Sequence, residues 1–237
     1  MYINGPMTRA IPPDRFEQLV HCATQVFIDR GYARTQMADI AEAMGIAKGT
    51  LYLYVESKEA LFDLALRYAD APESVRKPKV LPIPTPRPGA TAAYVRERLA
   101  TNQALPALAG ALAKKRVTDP GRELAAIVRE LYVVLAGNRR GIKLLDTSAR
   151  DHPELAALWF EGGREGLMAV IEQYLKGRIR SGHLRSVPDV PAAARLILET
   201  TVFWAVHRHW DPHPQEVDDD VARDTVVRFI VGTLAKE

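Results

Sequence analysis

The 237 residues carry 32 Lys+Arg against 29 Asp+Glu, a formal net charge of +3, and 47% of them are hydrophobic. The length allows one large domain or two smaller ones, and the hydrophobic fraction is high enough for an apolar core. The apolar runs are far shorter than the roughly 20 residues that span a bilayer. The N-terminal residues lack the apolar block of a signal peptide, and a single cysteine, Cys22, excludes an intrachain disulfide. We therefore expect a cytoplasmic protein.

The charge is unevenly distributed along the chain. Residues 1–70 hold 7 Lys+Arg and 9 Asp+Glu, residues 71–119 hold 9 and 3, and residues 120–237 hold 16 and 17. The first segment is therefore not basic as a whole. If it binds nucleic acid, its affinity must depend on a few well-placed cations rather than on a general positive field.

The chain begins with an arm, residues 1–12, that we expect to be disordered. Pro13 suits the first turn of a helix, and the apolar spacing predicts that this helix runs to about Arg30. Gly31 is placed to end it in the left-handed conformation. Thr35 is then a suitable N-cap for a second helix.

Residues 35–58 predict two short helices joined by a tight turn. Met37, Ile40 and Met44 recur at helical spacing, and Gly45 tolerates the backbone that ends a helix. The following helix, from about Ala47, contains Gly49, which costs about 1 kcal/mol against alanine inside a helix. A partner that approaches this backbone closely would explain the glycine. The segment from about Gln36 to Val55 therefore predicts a helix-turn-helix, which places its second helix in the major groove of DNA. DNA is then the partner that approaches Gly49.

Several side chains in this region can contact DNA. Lys48 can reach base edges or the backbone, Thr50 can offer a hydroxyl or a methyl group to a base, and tyrosine hydroxyls can donate to phosphates. A plain corner between two helices of a bundle is the alternative. The predicted DNA-binding residues are Thr35, Gln36, Lys48, Gly49, Thr50, Tyr52, Tyr54 and Lys58.

Ser57 is the predicted N-cap of a fourth helix that runs to about Ala71, which closes a domain at residues 13–71. Residues 72–90 contain six prolines, too many for a helix or a central strand. We expect an extended, basic linker there. A simple spacer, a docking segment for another protein, and a basic strand along DNA all remain open.

Residues 91–237 read as helical throughout, and we find no alternating strand pattern. The predicted fold is all-α, with an N-terminal three-helix helix-turn-helix domain followed by a C-terminal helical bundle. We expect helices at 91–105, 106–116, 120–137, 138–150, 153–180, 190–210 and 215–235.

No motif predicts catalysis, a metal site or a cofactor. The chain has no GxSxG, phosphate loop or HExxH sequence, and His207 and His209 point to different faces of a helix. We expect no enzyme activity. Aromatic residues of the C-terminal region are mostly core, but some can line a ligand pocket. The pocket candidates are Tyr132, Trp159, Phe160, Phe203 and Trp204.

The run GYARTQMADIAEAMGIAKGTLYLYVESKEALF, residues 31–62, closely resembles the DNA-binding signature of TetR-family transcriptional regulators. The resemblance covers about residues 13–70 and includes the KGTLY of the reading helix and the SKE that enters the fourth helix. Ala47, Leu53 and Val55 depart from residues common in the family, and the segment at 71–119 is longer than expected.

The resemblance implies a DNA-binding regulator, most often a repressor, that a small-molecule effector of unknown identity releases from its operator. It also implies a homodimer formed by the last two helices, about 190–210 and 215–235, on a palindromic site in double-stranded DNA. Two alternatives remain. One is a helical small-molecule-binding protein whose helix-turn-helix is vestigial, and the other is an enzyme that uses the cavity of the bundle.

Overall fold

A computed structural model describes residues 15–76, 78–114 and 116–236. The chain divides into two compact units, Met1–Arg87 and Pro88–Glu237. Within the described residues the regular elements are all helices, and extended pairing is limited to two isolated bridges. The predicted all-α class is therefore confirmed. The arm predicted at residues 1–12 lies outside the described residues.

The described residues of the first unit form four α-helices. Three of them bury one apolar face, as the spacing of their apolar residues predicts, and the shortest buries a single leucine, Leu51. Phe16, Phe27, Leu51 and Leu61 are among the buried side chains of their common core. The helices are α1 Arg15–Arg30, α2 Met37–Ala43, α3 Lys48–Leu51 and α4 Lys58–Tyr68.

Glycines end two of these helices as the sequence predicts. Gly31 has a φ of 75° and donates its N–H to the carbonyl of Phe27 at 2.9 Å. Gly45 has a φ of 65° and donates to Glu42 at 2.9 Å, while Ile46 donates to Ala41 at 3.0 Å. This pair of bonds is the Schellman arrangement that satisfies the last carbonyls of a helix. It sets the turn between α2 and α3.

The start of α2 differs from the prediction by one residue. Gln36, not Thr35, is the N-cap, and its backbone N–H donates to the Asp39 carboxylate at 2.8 Å. Ser57 caps α4 as predicted, because its hydroxyl accepts from the N–H of Ala60 at 3.1 Å.

The proline-rich segment differs from a free spacer. Residues 72–74 form a short 3₁₀ turn, and Ile83 forms a parallel bridge with Val55, just beyond α3. The boundary between the compact units falls between Arg87 and Pro88.

The second unit is a helical bundle. The predicted bounds of 120–137 match α7, where Asp119 caps the helix by accepting from the N–H of Arg122 at 2.8 Å. The helices are α5 Ala90–Gln103, α6 Pro106–Ala113, α7 Pro120–Gly137, α8 Arg139–Ser148, α9 Pro153–Ala156, α10 Gly166–Arg180, α11 Val190–Ala205 and α12 Asp219–Leu234.

The helix predicted at 153–180 is continuous but not uniform. Its N-cap is His152, and Ala157–Glu165 winds as a π-helix between α9 and α10. Such wider turns are frequent at functional sites. The last two helices are also shorter than predicted, since a 3₁₀ turn at His207–Trp210 follows α11 and α12 begins only at Asp219.

Candidate nucleic-acid interface and ligand cavity

The residues of helix α3 differ in their exposure to solvent. Lys48 and Gly49 are exposed, Thr50 is half-buried, and Leu51 is fully buried and holds the helix on the core. Tyr52 is 41% exposed and Leu53 63%. The regular helix is only one turn long, but hydrogen bonds from Leu53 and Tyr54 back to residues 50 and 51 continue the winding. The exposed groups therefore form one short, protruding surface.

Gly49 has open space around it. A Cβ built there would meet no atom of the described residues within 4 Å. The fold itself therefore does not require a glycine at this position, and the lack of a side chain leaves room for an external partner.

Thr35 and Tyr54 are positioned differently from the prediction. Thr35 is 1% exposed, and its hydroxyl donates to the carbonyl of Gly31 at 2.7 Å. Tyr54 is 6% exposed, and its ring packs edge-on against Phe16 at 5.6 Å between centroids. Both side chains stabilise the unit. Their burial does not fit the predicted hydroxyl contacts with phosphates.

Lys58 lies at the start of α4, where its ammonium group bridges two parts of the unit. It donates to the carbonyl of Tyr32 at 3.0 Å and to that of Thr35 at 3.1 Å. It also lies 4.2 Å from the centroid of the Tyr32 ring, a cation–π contact. An ammonium group has three donors, so one donor remains available to an external acceptor such as a phosphate.

A polar network fixes the segment that enters α2. The hydroxyl of Tyr32 donates to Glu59 at 2.9 Å. Burial, reinforced by the Glu59 carboxylate, raises the pKa of Tyr32 well above its ordinary value. Asp39 accepts from Gln36 and pairs with Arg30 at 2.8 Å. Arg30 thus offsets an acidic charge beside the exposed side chain of Gln36.

The second unit contains a cavity of about 120 Å³ that opens to solvent, smaller than the roughly 300–1,000 Å³ of typical ligand pockets. Its walls come from α5, α7, α8, the π-helix, α10, α11 and the 3₁₀ turn that follows α11. Its apolar lining residues are Leu99, Leu131, Val134, Leu135, Ile142, Trp159, Leu167, Leu198 and Val202, and its polar ones are Asn102, Gln103, Asp146, Arg164, Glu199 and His207.

Polar side chains tie the π-helix to the rest of the cavity. The amide of Gln103 donates to the carbonyls of Gly162 and Gly163 at 3.0 and 2.9 Å. Arg164 pairs with Glu199 of α11, with its Nε 3.0 Å from the carboxylate. Burial lowers the pKa of His207, although the neighbouring Asp146 acts in the opposite direction. The imidazole is therefore mostly neutral at pH 7.

Of the five aromatic pocket candidates, the structure places only Trp159 in the cavity wall. Tyr132 is buried, and its hydroxyl donates to the carbonyl of Trp204 at 3.2 Å. Phe203 is 42% exposed on α11, and Phe160 is half-buried but not among the lining residues. The polar lining residues were missed, because their sequence pattern does not distinguish them from residues of a solvated helix face.

Large apolar side chains lie on the surface of the last two helices. Phe229 of α12 is 73% exposed and Leu196 of α11 is 68% exposed. Val221 and Phe203 are also exposed on these helices. Such a patch is typical of an interaction surface.

The described part of the chain contains neither a candidate metal site nor a candidate membrane-spanning helix. No group of three or more His, Cys, Asp or Glu side chains there is arranged to hold a metal ion. Among the described helices, none is both long and apolar enough to cross a membrane.

Two family models match the chain. Residues 19–65, which include the helix-turn-helix, match the family of bacterial regulatory proteins of the TetR type. Residues 137–232 match the C-terminal domain of AefR-like transcriptional repressors. The chain belongs to the TetR family. The resemblance found in residues 31–62 is thereby confirmed, and it extends into the second unit.

Curated relatives of this TetR-family protein match it over the helix-turn-helix. The transcriptional repressor KstR2 of Mycolicibacterium smegmatis is 39% identical over 63 residues, 27% of this chain and 31% of its own. The repressor DhaR of a Mycobacterium species is 46% identical over 44 residues, 19% of this chain and 22% of its own. The chain thus aligns with less than a third of the length of these relatives.

Solved structures resemble the whole fold. KstR2 of Mycobacterium tuberculosis, described as a ketosteroid transcriptional regulator, aligns over 96% of this chain and 98% of its own, with a TM-score of 0.56 and 18% identity. SCO3833 of Streptomyces coelicolor, also a TetR-family member, aligns over 92% and 91%, with a TM-score of 0.53 and 24% identity. At these identities the likeness supports the fold alone.

Proposed function

We propose that this TetR-family protein is a sequence-specific DNA-binding repressor that a small molecule releases from its operator. The observation that carries the proposal is the exposed surface of α3, where Lys48, Gly49 and Tyr52 face solvent while Leu51 anchors the helix. Such a regulator acts in the cytoplasm, on the chromosome. It carries out no catalysis and needs no cofactor.

In this proposal the roles of the exposed residues differ. Thr50 reads a base edge, while Lys48, Tyr52 and Lys58 contact phosphates and fix the register. Gln36, at the N-terminus of α2, adds an exposed amide donor. Gly49 allows the sugar–phosphate wall to approach. Thr35 and Tyr54 position this surface without touching DNA.

The effector binds in the cavity of the second unit. Mostly apolar walls and a few convergent polar groups suit an apolar compound that carries at least one hydrogen-bonding group. Release follows if the ligand binds better to the conformation that does not bind DNA. To change occupancy from 99% bound to 99% released, the ligand must prefer that conformation by about 5.5 kcal/mol.

A homodimer on a palindromic operator completes the proposal. The exposed apolar side chains of α11 and α12 are covered when the same helices of a second copy pack on them. Two copies of α3 then read half-sites separated by about one turn of DNA or a multiple of it.

The test is fluorescence anisotropy with a labelled duplex from the DNA upstream of the protein's own gene, against a scrambled duplex of equal length. We expect a clear preference for the natural sequence at low salt, and Thr50→Ala should relax the preference at one base position. Equal affinity for both duplexes contradicts the proposal. If Thr50→Ala lowers the affinity for every DNA sequence by the same factor, Thr50 does not read a base.

A helical ligand-binding protein with a vestigial helix-turn-helix is the second candidate. It is favoured by the net charge of −2 over residues 1–70. This candidate binds an apolar probe in the cavity but shows no sequence-specific shift with DNA. Measuring both properties on the same preparation distinguishes the two functions.

A further inference from the structure

The proline-rich segment is held against the residues that follow α3 by four hydrogen bonds. Ile83 donates its N–H to the carbonyl of Tyr54 at 2.8 Å and accepts at its carbonyl from the N–H of Glu56 at 2.9 Å. Thr85 donates its N–H to the Glu56 carboxylate at 2.8 Å and its hydroxyl to that of Ser57 at 2.9 Å. We call residues 79–87 the proline clip.

The sequence of the clip matches this arrangement closely. Residues 82–86 read PIPTP, and proline has no N–H. Only Ile83 and Thr85 can donate from the backbone in this stretch, and both do so to residues 54–56. The prolines also restrict the free segment to extended conformations, which lowers the entropy lost on docking. The pairing is therefore a specific attachment.

The clip changes the charge of the first unit. Residues 79–87 hold two Lys+Arg, which are Lys79 and Arg87, and no Asp+Glu, a net charge of +2, whereas residues 1–70 have a net charge of −2. The side chains of Lys79 and Arg87 are exposed. Neither has an acidic partner among the described residues. They are thus cations available to an anionic partner.

The attachment points place these cations beside the helix-turn-helix. Thr85 is bonded to Ser57, the N-cap of α4, and Ser57 is adjacent to Lys58. Arg87 follows two residues later, so its Cα lies within about 7 Å of that of Thr85. Lys79 precedes Ile83 by four residues, a reach of at most about 14 Å.

We propose that the proline clip is a second contact surface for DNA, in which Lys79 and Arg87 pair with phosphates flanking the bases read by α3. This inference rests on the proposed DNA-binding function and adds a sequence-independent grip to it. The partner is the DNA backbone, because two unpaired cations attached next to a reading helix complement its regular array of negative charges. Because the contacts are to phosphates, they add affinity without adding base preference.

The test is the salt dependence of binding by the full-length protein, measured by anisotropy at several salt concentrations on operator and scrambled duplexes. In the double variant Lys79→Ala, Arg87→Ala we expect the slope of log K against log salt to become shallower by about 3.6, since the dimer loses four phosphate contacts, two from each copy, and each contributes about 0.9. The affinities for both duplexes should fall by the same factor. The charge-preserving variant Lys79→Arg, Arg87→Lys should restore the wild-type slope.

A matched control removes two exposed cations of the second unit, Arg180→Ala with Arg185→Ala, and should leave the slope unchanged. A wild-type slope in the Lys79, Arg87 alanine variant overturns this inference while the base preference of α3 still stands. A loss of affinity confined to the operator also overturns it, because the clip would then be reading bases. If the wild-type protein shows no sequence preference, the proposed function itself fails.

Discussion

The ammonium group of Lys58 lies over the ring of Tyr32, 4.2 Å from its centroid, and donates to the carbonyl of the same residue at 3.0 Å. Lys58 begins α4 and Tyr32 precedes α2. This contact therefore connects the two ends of the helix-turn-helix. A lysine at a predicted DNA contact site also has a structural role, and the two roles can be separated experimentally.

Substituting Lys58→Met should destabilise the protein. The change keeps the apolar stem but removes two hydrogen bonds to carbonyls and the cation–π contact. We expect the free energy of unfolding to fall by about 1–3 kcal/mol, measured by urea denaturation of the full chain. Lys48→Met is the matched control, because Lys48 is exposed, and it should change the stability by less than about 0.5 kcal/mol while weakening DNA binding. Equal stability of the two variants would contradict the structural role of Lys58.

The two tyrosines that follow α3 should behave differently when each loses its hydroxyl. Tyr52 is exposed, so Tyr52→Phe removes a donor to phosphate from each copy of the dimer and should weaken binding to every sequence, by about 2 kcal/mol or roughly 30-fold. Tyr54 is buried against Phe16, so Tyr54→Phe should leave the affinity unchanged. Anisotropy with operator and scrambled duplexes measures both. A larger loss in Tyr54→Phe than in Tyr52→Phe would mean that the structure assigns the contact to the wrong tyrosine.

Local signals in the sequence were sufficient for much of the fold. The bounds of α7 were predicted correctly because Asp119 and Pro120 mark its start and Asn138 its end. Gly31 and Gly45 end their helices in the left-handed conformation as predicted. Thr35 was misassigned because a threonine before a helix usually caps it. Its hydroxyl instead bonds back to Gly31, and the N-cap is the next residue.

Contacts between distant parts of the chain could not be predicted in this way. The proline density predicts an extended segment, but it reveals neither the 3₁₀ turn at residues 72–74 nor the pairing of Ile83 with Tyr54. The cavity shows the same limit, because its polar residues Asn102, Arg164 and Glu199 come from three separate elements. Which helix faces converge depends on tertiary packing rather than on the periodicity of each helix.

The exposed apolar patch on the last two helices predicts the behaviour of a dimer. Phe229→Glu places a charge where the second copy should pack, and burying an unpaired charge is costly. We expect the variant to sediment as a monomer at micromolar concentrations at which the wild type is a dimer. Val133→Glu, an equivalent change at an exposed position of α7, should remain dimeric. If Phe229→Glu also remains dimeric, α12 is not the centre of the interface.

The half-buried histidine of the cavity, His207, predicts a loss of stability in mild acid. Burial lowers the pKa of His207 in the folded protein, against an opposing effect of Asp146, while the unfolded chain titrates near pH 6.5. Below that pH the unfolded chain binds a proton that the folded protein does not, so the free energy of unfolding decreases as the pH falls from about 6.5 towards the folded pKa.

The measurement is urea denaturation at pH 7.5 and pH 5.5 for the wild type and His207→Gln. The variant should lose less stability between the two pH values than the wild type. Burial also lowers the pKa of His209, which acts in the same direction, so the single variant should reduce the pH dependence and the double variant with His209→Gln should reduce it further. An unchanged pH dependence in the double variant would show that neither imidazole is kept neutral by the fold.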